Sequence, residues 1–192
     1  MGRAGFAMAA LGAYHPVSVQ KMQIYGVSFD MVGKQPIVLL KTVDSNKFLP
    51  IWIGHPEAAA ILMKLQGAAT PRPMTHDLFT EMLGQLEAEV VSVAVTELRE
   101  NTFYARITIQ QNGSELEIDS RPSDAIALAV RSGAKIYAAD EVIEESGIEF
   151  EGESGGETEE VVGVPPLSEL DPAEFRQFLD SVSPDEFARG ED

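Results

Sequence analysis

The chain has 192 residues, 31 acidic against 14 basic side chains and a formal net charge of −17, which excludes a protein that grips nucleic acid through a basic face of the whole molecule. It has no Cys, which excludes disulfides, thiol catalysis and cysteine zinc sites. At 44% hydrophobic residues it can fill an ordinary core, so one domain with an appendage is expected.

The charge is unevenly placed. Residues 1–145 carry 17 acidic and 12 basic side chains, and residues 146–192 carry 14 and 2. Met1–Ala13 holds one Arg and an apolar run broken by glycines. It reads as an N-terminal extension, residues 1–16, rather than an export signal. No run reaches the roughly 18 apolar residues of a membrane span. With no Cys and no convincing export signal, a cytoplasmic protein is expected.

A strand is predicted over Val17–Val27, where polar and apolar residues alternate. Pro36–Val43 and Lys47–Ile53 are apolar runs joined by Asp44-Ser45-Asn46, which predicts a hairpin. Pro56 then suits a first helical turn, with Glu57 near its positive end, and Gly67 closes the helix. That helix is apolar nearly all round, as expected of a central helix or a subunit interface. After a proline-marked loop, Thr75 can cap a second helix with Asp77 in its first turn. Leu78, Phe79, Met82, Leu83 and Leu86 fall on one stripe of it.

Glu89–Leu98 and Phe103–Gln110 alternate as strands, and Asn112-Gly113 signals a tight hairpin into Glu115–Ser120. Pro122 starts another helix, ended by Gly133; a short strand, Lys135–Ala138, and a short helix, Asp140–Ser146, follow. The order βββ-αα-βββ-α-β-α predicts an α+β fold, with a mixed, largely antiparallel sheet and grouped helices. The folded domain is expected over 17–147, with an acidic linker at 148–166. A tail follows at 167–192, in which Phe175, Phe178, Leu179 and Val182 share one helix face. That face can dock on the domain, on another copy or on a protein partner.

Phosphate-loop, dinucleotide, zinc-protease and serine-hydrolase motifs are absent. Thr75-His76-Asp77 at a helix start reads either as plain capping or as a general base with an orienting carboxylate. Glu115, Glu117 and Asp119 share one strand face about 6.6–6.8 Å apart in succession, as a solvated face or as oxygen ligands for a hard cation. Asp119-Ser120-Arg121-Pro122-Ser123-Asp124 runs from a strand end into a helix start. Arg is an unusual choice beside that start, free to bind phosphate as a fork or to pair with Asp119 or Asp124.

Several ordered strings carry a resemblance. They are Leu49-Pro50-Ile51-Trp52-Ile53-Gly54, Glu57-Ala58-Ala59-Ala60, Arg72-Pro73-Met74-Thr75-His76-Asp77-Leu78, Thr102-Phe103-Tyr104-Ala105 and Ile118 through Ala129. Together they resemble the bifunctional nuclease domain family over roughly Val19 to Gly147. The turn Arg99-Glu100-Asn101-Thr102 departs by lacking a glycine, and His55 and Ser120 also depart. The resemblance implies a self-associating α+β domain with activity on DNA and RNA. On that pattern His76, Asp77, Asp119, Arg121 and Asp124 are the expected catalytic residues. Arg72, Arg106 and Ser123 would bind substrate, and Glu57, Asp119 and Asp124 would hold Mg²⁺ or Mn²⁺. The alternative expectation is a non-catalytic oligomeric binding or regulatory module.

Overall fold

The computed structural model describes residues 18–29 and 35–149. The expected N-terminal extension, nearly all of the acidic linker and the tail helix lie outside these residues. Strand β1 (Val19–Phe29) pairs antiparallel with β2 (Pro36–Thr42), which pairs antiparallel with β3 (Lys47–Trp52). Helices α1 (His55–Leu65) and α2 (Thr75–Gln85) follow. Next come the antiparallel strands β4 (Ala88–Arg99), β5 (Thr102–Gln111) and β6 (Ser114–Ser120). Helix α3 (Pro122–Ser132), strand β7 (Lys135–Ala139), helix α4 (Asp140–Ser146) and strand β8 (Ile148–Glu149) complete the order.

One eight-stranded sheet results, ordered β6-β5-β4-β7-β1-β2-β3-β8. Only β4 and β7 run parallel, because α3 carries the chain from β6 across to the inside of the sheet. The expected α+β class and element order therefore hold. The one addition is β8, which pairs with Lys47 and Phe48 where the linker was expected to begin.

Side-chain alternation sets the layers. Ala105, Ile107 and Ile109 face the core, and the intervening Arg106, Thr108 and Gln110 face out. The register places Gln110, Thr108 and Arg106 opposite Glu115, Glu117 and Asp119, so the three acids do share the outer face. Residues Ala125 to Ala129 of α3 are all buried, and the three alanines among them let the helix lie close against the sheet and α1. Gly133 closes α3 in the left-handed conformation that suits glycine.

Helix α2 packs differently. Of its apolar stripe only Leu83 meets the core, whereas Leu78 (50%), Phe79 (47%), Met82 (55%) and Leu86 (61%) remain exposed. Its cap also differs from expectation. Thr75 is the first helical residue, and the Asp77 carboxylate accepts the Met74 N–H at 3.1 Å. Among the described residues no helix is long and apolar enough to cross a membrane.

Candidate active site

Three helices begin close together. Glu57 lies in the first turn of α1, His76 in the first turn of α2 and Asp124 in the first turn of α3, where Arg121 is the N-cap residue. Arg121 does not cap its helix with its side chain. Its guanidinium instead reaches Asp124 through two bonds, Nε to Oδ2 at 2.7 Å and Nη2 to Oδ1 at 3.0 Å. Nη2 also pairs with Glu57 Oε1 at 2.9 Å. Asp124 Oδ1 in turn meets His76 Nε2 at 3.2 Å. Glu57, Arg121, Asp124 and His76 therefore form one continuous chain of contacts.

Each link has a local cause. Pro122 presets the first turn of α3 and leaves Arg121 in extended backbone, which points its side chain along the helix start. Gly54 precedes α1, and any Cβ there would collide with the Glu57 carboxylate. Glycine is thus what lets Glu57 fold back toward Arg121. The positive ends of three helix dipoles favour anions at this place.

The electrostatics follow. Burial works to raise the Asp124 carboxyl, but hydrogen bonds from Arg121 and His76 outweigh it and hold it below the ordinary value. The same bond to Asp124, joined by Glu57, makes the Arg121 guanidinium still harder to deprotonate. An ionised carboxylate only accepts, so His76 Nε2 carries the proton in this bond. In the neutral ring the lone pair then sits on Nδ1. Arg121 has five N–H groups, and the two on Nη1 take no partner among the described residues.

The remaining expected site residues fall elsewhere. Asp77, expected as a catalytic residue, turns its carboxylate to Arg131 Nε at 2.6 Å rather than to His76. Arg131 is only 4% exposed, and also donates to Ala127 O at 2.9 Å and Ala60 O at 3.1 Å. Burial pushes the Asp77 carboxyl up, but the bonds from Arg131 and Met74 more than reverse this. Arg106 pairs across the strands with Glu117 at 2.8 Å. Asp119 is exposed on that outer face and pairs with nothing among the described residues. Arg72 is exposed in the loop before α2, and its side chain likewise has no partner among them. Ser123 is buried.

The expected cation ligands do not converge. Glu57 and Asp124 both spend oxygens on Arg121, whose guanidinium fills the space between them, and Asp119 does not join them. Among the described residues no three His, Asp or Glu side chains gather as a metal site.

A cleft of about 470 Å³ opens beside Arg121. Trp52 at the end of β3, Asn101 and Phe103 at the β4–β5 turn, Leu98, Arg121 and Ser123 contribute to its walls. Sequence reasoning quoted Trp52 and Phe103 but did not see that they line one cavity with Arg121. It also missed Arg131, whose signal was a lone basic residue directly after the apolar run Ala125–Val130.

The bifunctional nuclease domain matches residues 38–151. The chain belongs to the bifunctional nuclease domain family. An uncharacterised protein of Mycobacterium tuberculosis is 36% identical over 167 residues, covering 87% of this chain and 97% of that protein. Bifunctional nuclease 1 of Oryza sativa subsp. japonica is 30% identical over 105 residues, covering 53% of this chain and 32% of its own. Bifunctional nuclease 2 of the same rice is 28% identical over 101 residues, covering 50% and 31%. All four linked residues, and every wall residue of the cleft except Gln35, lie within the segment 38–151.

Two outcomes follow for stability. Asp77→Ala leaves a buried guanidinium unpaired and is expected to cost about 3 kcal/mol in urea denaturation. Asp77 and Asp124 both have folded carboxyls below their ordinary values, so their stabilisation is complete above the unfolded value near 4 and is lost as pH falls through the folded one. Urea midpoints should therefore drop below about pH 4, and Asp124→Asn should flatten that acid limb.

Proposed function

We propose that this domain hydrolyses phosphodiester bonds of DNA and RNA at the Glu57–Arg121–Asp124–His76 chain. The observation that carries the reading is this chain itself, set where three helix N-termini meet. The family membership and the names of the rice relatives support the choice of reaction. In the proposed reaction the free Nη1 of Arg121 donates to a phosphate oxygen. The helix ends and the guanidinium stabilise charge building on phosphorus. His76 Nδ1 takes a proton from the attacking water while Asp124 holds the ring through Nε2. The water oxygen bonds to phosphorus, and the bond to the leaving oxygen breaks with its electron pair staying on that oxygen, which takes a proton from solvent water. Glu57 keeps Arg121 in place and Ser123 belongs to the same wall.

Magnesium or manganese is proposed as a counterion of the bound phosphate, not as a resident of the free site. Arg72, exposed in the loop before α2, is proposed as a second phosphate contact. Cleavage of labelled single strands of DNA and RNA tests the reading. His76→Gln, Arg121→Gln and Asp124→Asn are each expected to lower the rate at least about 100-fold. A chelator should lower wild-type activity, and added Mg²⁺ or Mn²⁺ should restore it. Activity unchanged across the three variants would mean a contaminating nuclease and would sink the proposal.

A second reading, self-association as a binding module, is favoured by the exposed Leu78, Phe79, Met82 and Leu86 of α2. Such a stripe in water is more often covered by a second copy than left bare. Sedimentation should show a homo-oligomer that Met82→Lys shifts toward monomer; a wild type that stays monomeric at all concentrations would refute it.

A further inference from the structure

The cleft beside Arg121 has the shape and chemistry of a nucleotide site rather than of a duplex groove. Resting on the hydrolysis proposed above, we infer that it receives one unpaired nucleobase of the strand whose phosphate Arg121 holds, so that single strands are the preferred substrate. Four observations lead there.

Arg121 belongs at once to the contact chain and to the cleft wall. A ligand filling both places has an anionic end and an uncharged body directly attached, which is the plan of a nucleotide. The cavity, about 470 Å³, falls in the range of small-molecule sites. It admits a single base but not a duplex, whose bases are paired and stacked inside the helix.

The walls suit a base. Phe103 and Trp52 supply aromatic surface and Leu98 an apolar one, while Asn101 and Thr102 place an amide and a hydroxyl at the edge. Stacking on aromatics with hydrogen bonds to an exposed base edge is how proteins read unpaired nucleotides. Because stacking tolerates any base, such a site suits strands of varied sequence.

Charge points the same way. Residues 1–145 carry five more acids than bases, so counterion release offers little affinity. The outer face of β6 presents Glu115 and Asp119, which repel a second phosphate backbone, beside Glu117 already paired with Arg106. A protein so placed needs a non-ionic grip, and the cleft is one.

Trp52 is the sole tryptophan of the chain and stands in this wall, so its fluorescence reports occupancy without any need for cleavage. The full-length protein would be titrated with a ten-nucleotide phosphorothioate strand, which resists hydrolysis. The same strand annealed to its complement, a nucleoside monophosphate and inorganic phosphate form the other arms. The single strand should give a saturable change, with the duplex at least tenfold weaker and phosphate inactive. Phe103→Ala should weaken strand binding by about tenfold or more. Phe103→Leu, which keeps the apolar volume and so the fold, should weaken it in the same direction. Equal affinity for strand and duplex would overturn the inference, as would wild-type affinity in both Phe103 variants. A monophosphate that binds as tightly as the strand would also overturn it, by marking a site for free nucleotides. A strand that binds here but is never cleaved would defeat the hydrolysis and leave the base site standing. Cleavage of strand and duplex at equal rates, with Trp52 unmoved, would do the reverse.

Discussion

Much of this molecule depends on one buried cation. Helix α2 buries none of its own residues fully, so hydrophobic packing alone does not fix where it sits. Arg131 of α3 does, by donating to Asp77 at the start of α2, to Ala60 O in α1 and to Ala127 O in its own helix. A buried guanidinium must have its donors met, and only one arrangement of three helices meets these. The far end of α2 is tied more lightly, by Gln111 donating to Leu86 O at 2.8 Å. His76 stands one residue before Asp77, so the clamp that orders the helix also delivers the imidazole to Asp124.

The site above this clamp is electrostatically crowded. Two carboxylates and one guanidinium meet where helix ends favour negative charge. The two carboxylates lie in the first turns of α1 and α3 and both pair with Arg121. In the proposed hydrolysis an incoming phosphate would compete with these resident anions, but Arg121 Nη1 takes no partner among the described residues and would be open to it. Such a site favours short-range, directional contact over long-range attraction, which suits a chain whose net charge is −17. Most of that charge belongs to residues 146–192 and not to the domain around the site.

Periodicity made most of the fold legible, because alternation and helical stripes are local and turn residues mark their ends. Strand β8 escaped, since two residues carry no period. The stripe on α2 was visible, but a stripe does not say whether core or solvent faces it, and here only Leu83 meets the core. In the site, His76, Arg121 and Asp124 could be singled out because each stands at a helix start with chemistry that a cap does not need. The role of Asp77 could not, because its partner lies 54 residues away. Asp119 and Asp124 are neighbours in sequence, yet strand alternation sends the first to the outer face while the helix turns the second inward. That divergence, more than any missing ligand type, is why the three expected cation ligands do not meet.

The turn between β4 and β5 shows how a departure from the family pattern acquires meaning in three dimensions. Glu100 and Asn101 both adopt positive φ, 47° and 58°, in a two-residue hairpin where glycine would sit without strain. Asn tolerates that region and Glu does so at a cost of about 1–2 kcal/mol. The companion hairpin at Asn112-Gly113 meets the same demand with residues suited to it, at φ of 51° and 78°. The costly version borders the cleft, where Asn101, Thr102 and Phe103 form part of the wall. Strain of this kind persists where surrounding structure over-determines the backbone. Here ten paired positions between β4 and β5 do so, holding Phe103 opposite Leu98 and thereby fixing the aromatic side of the cleft.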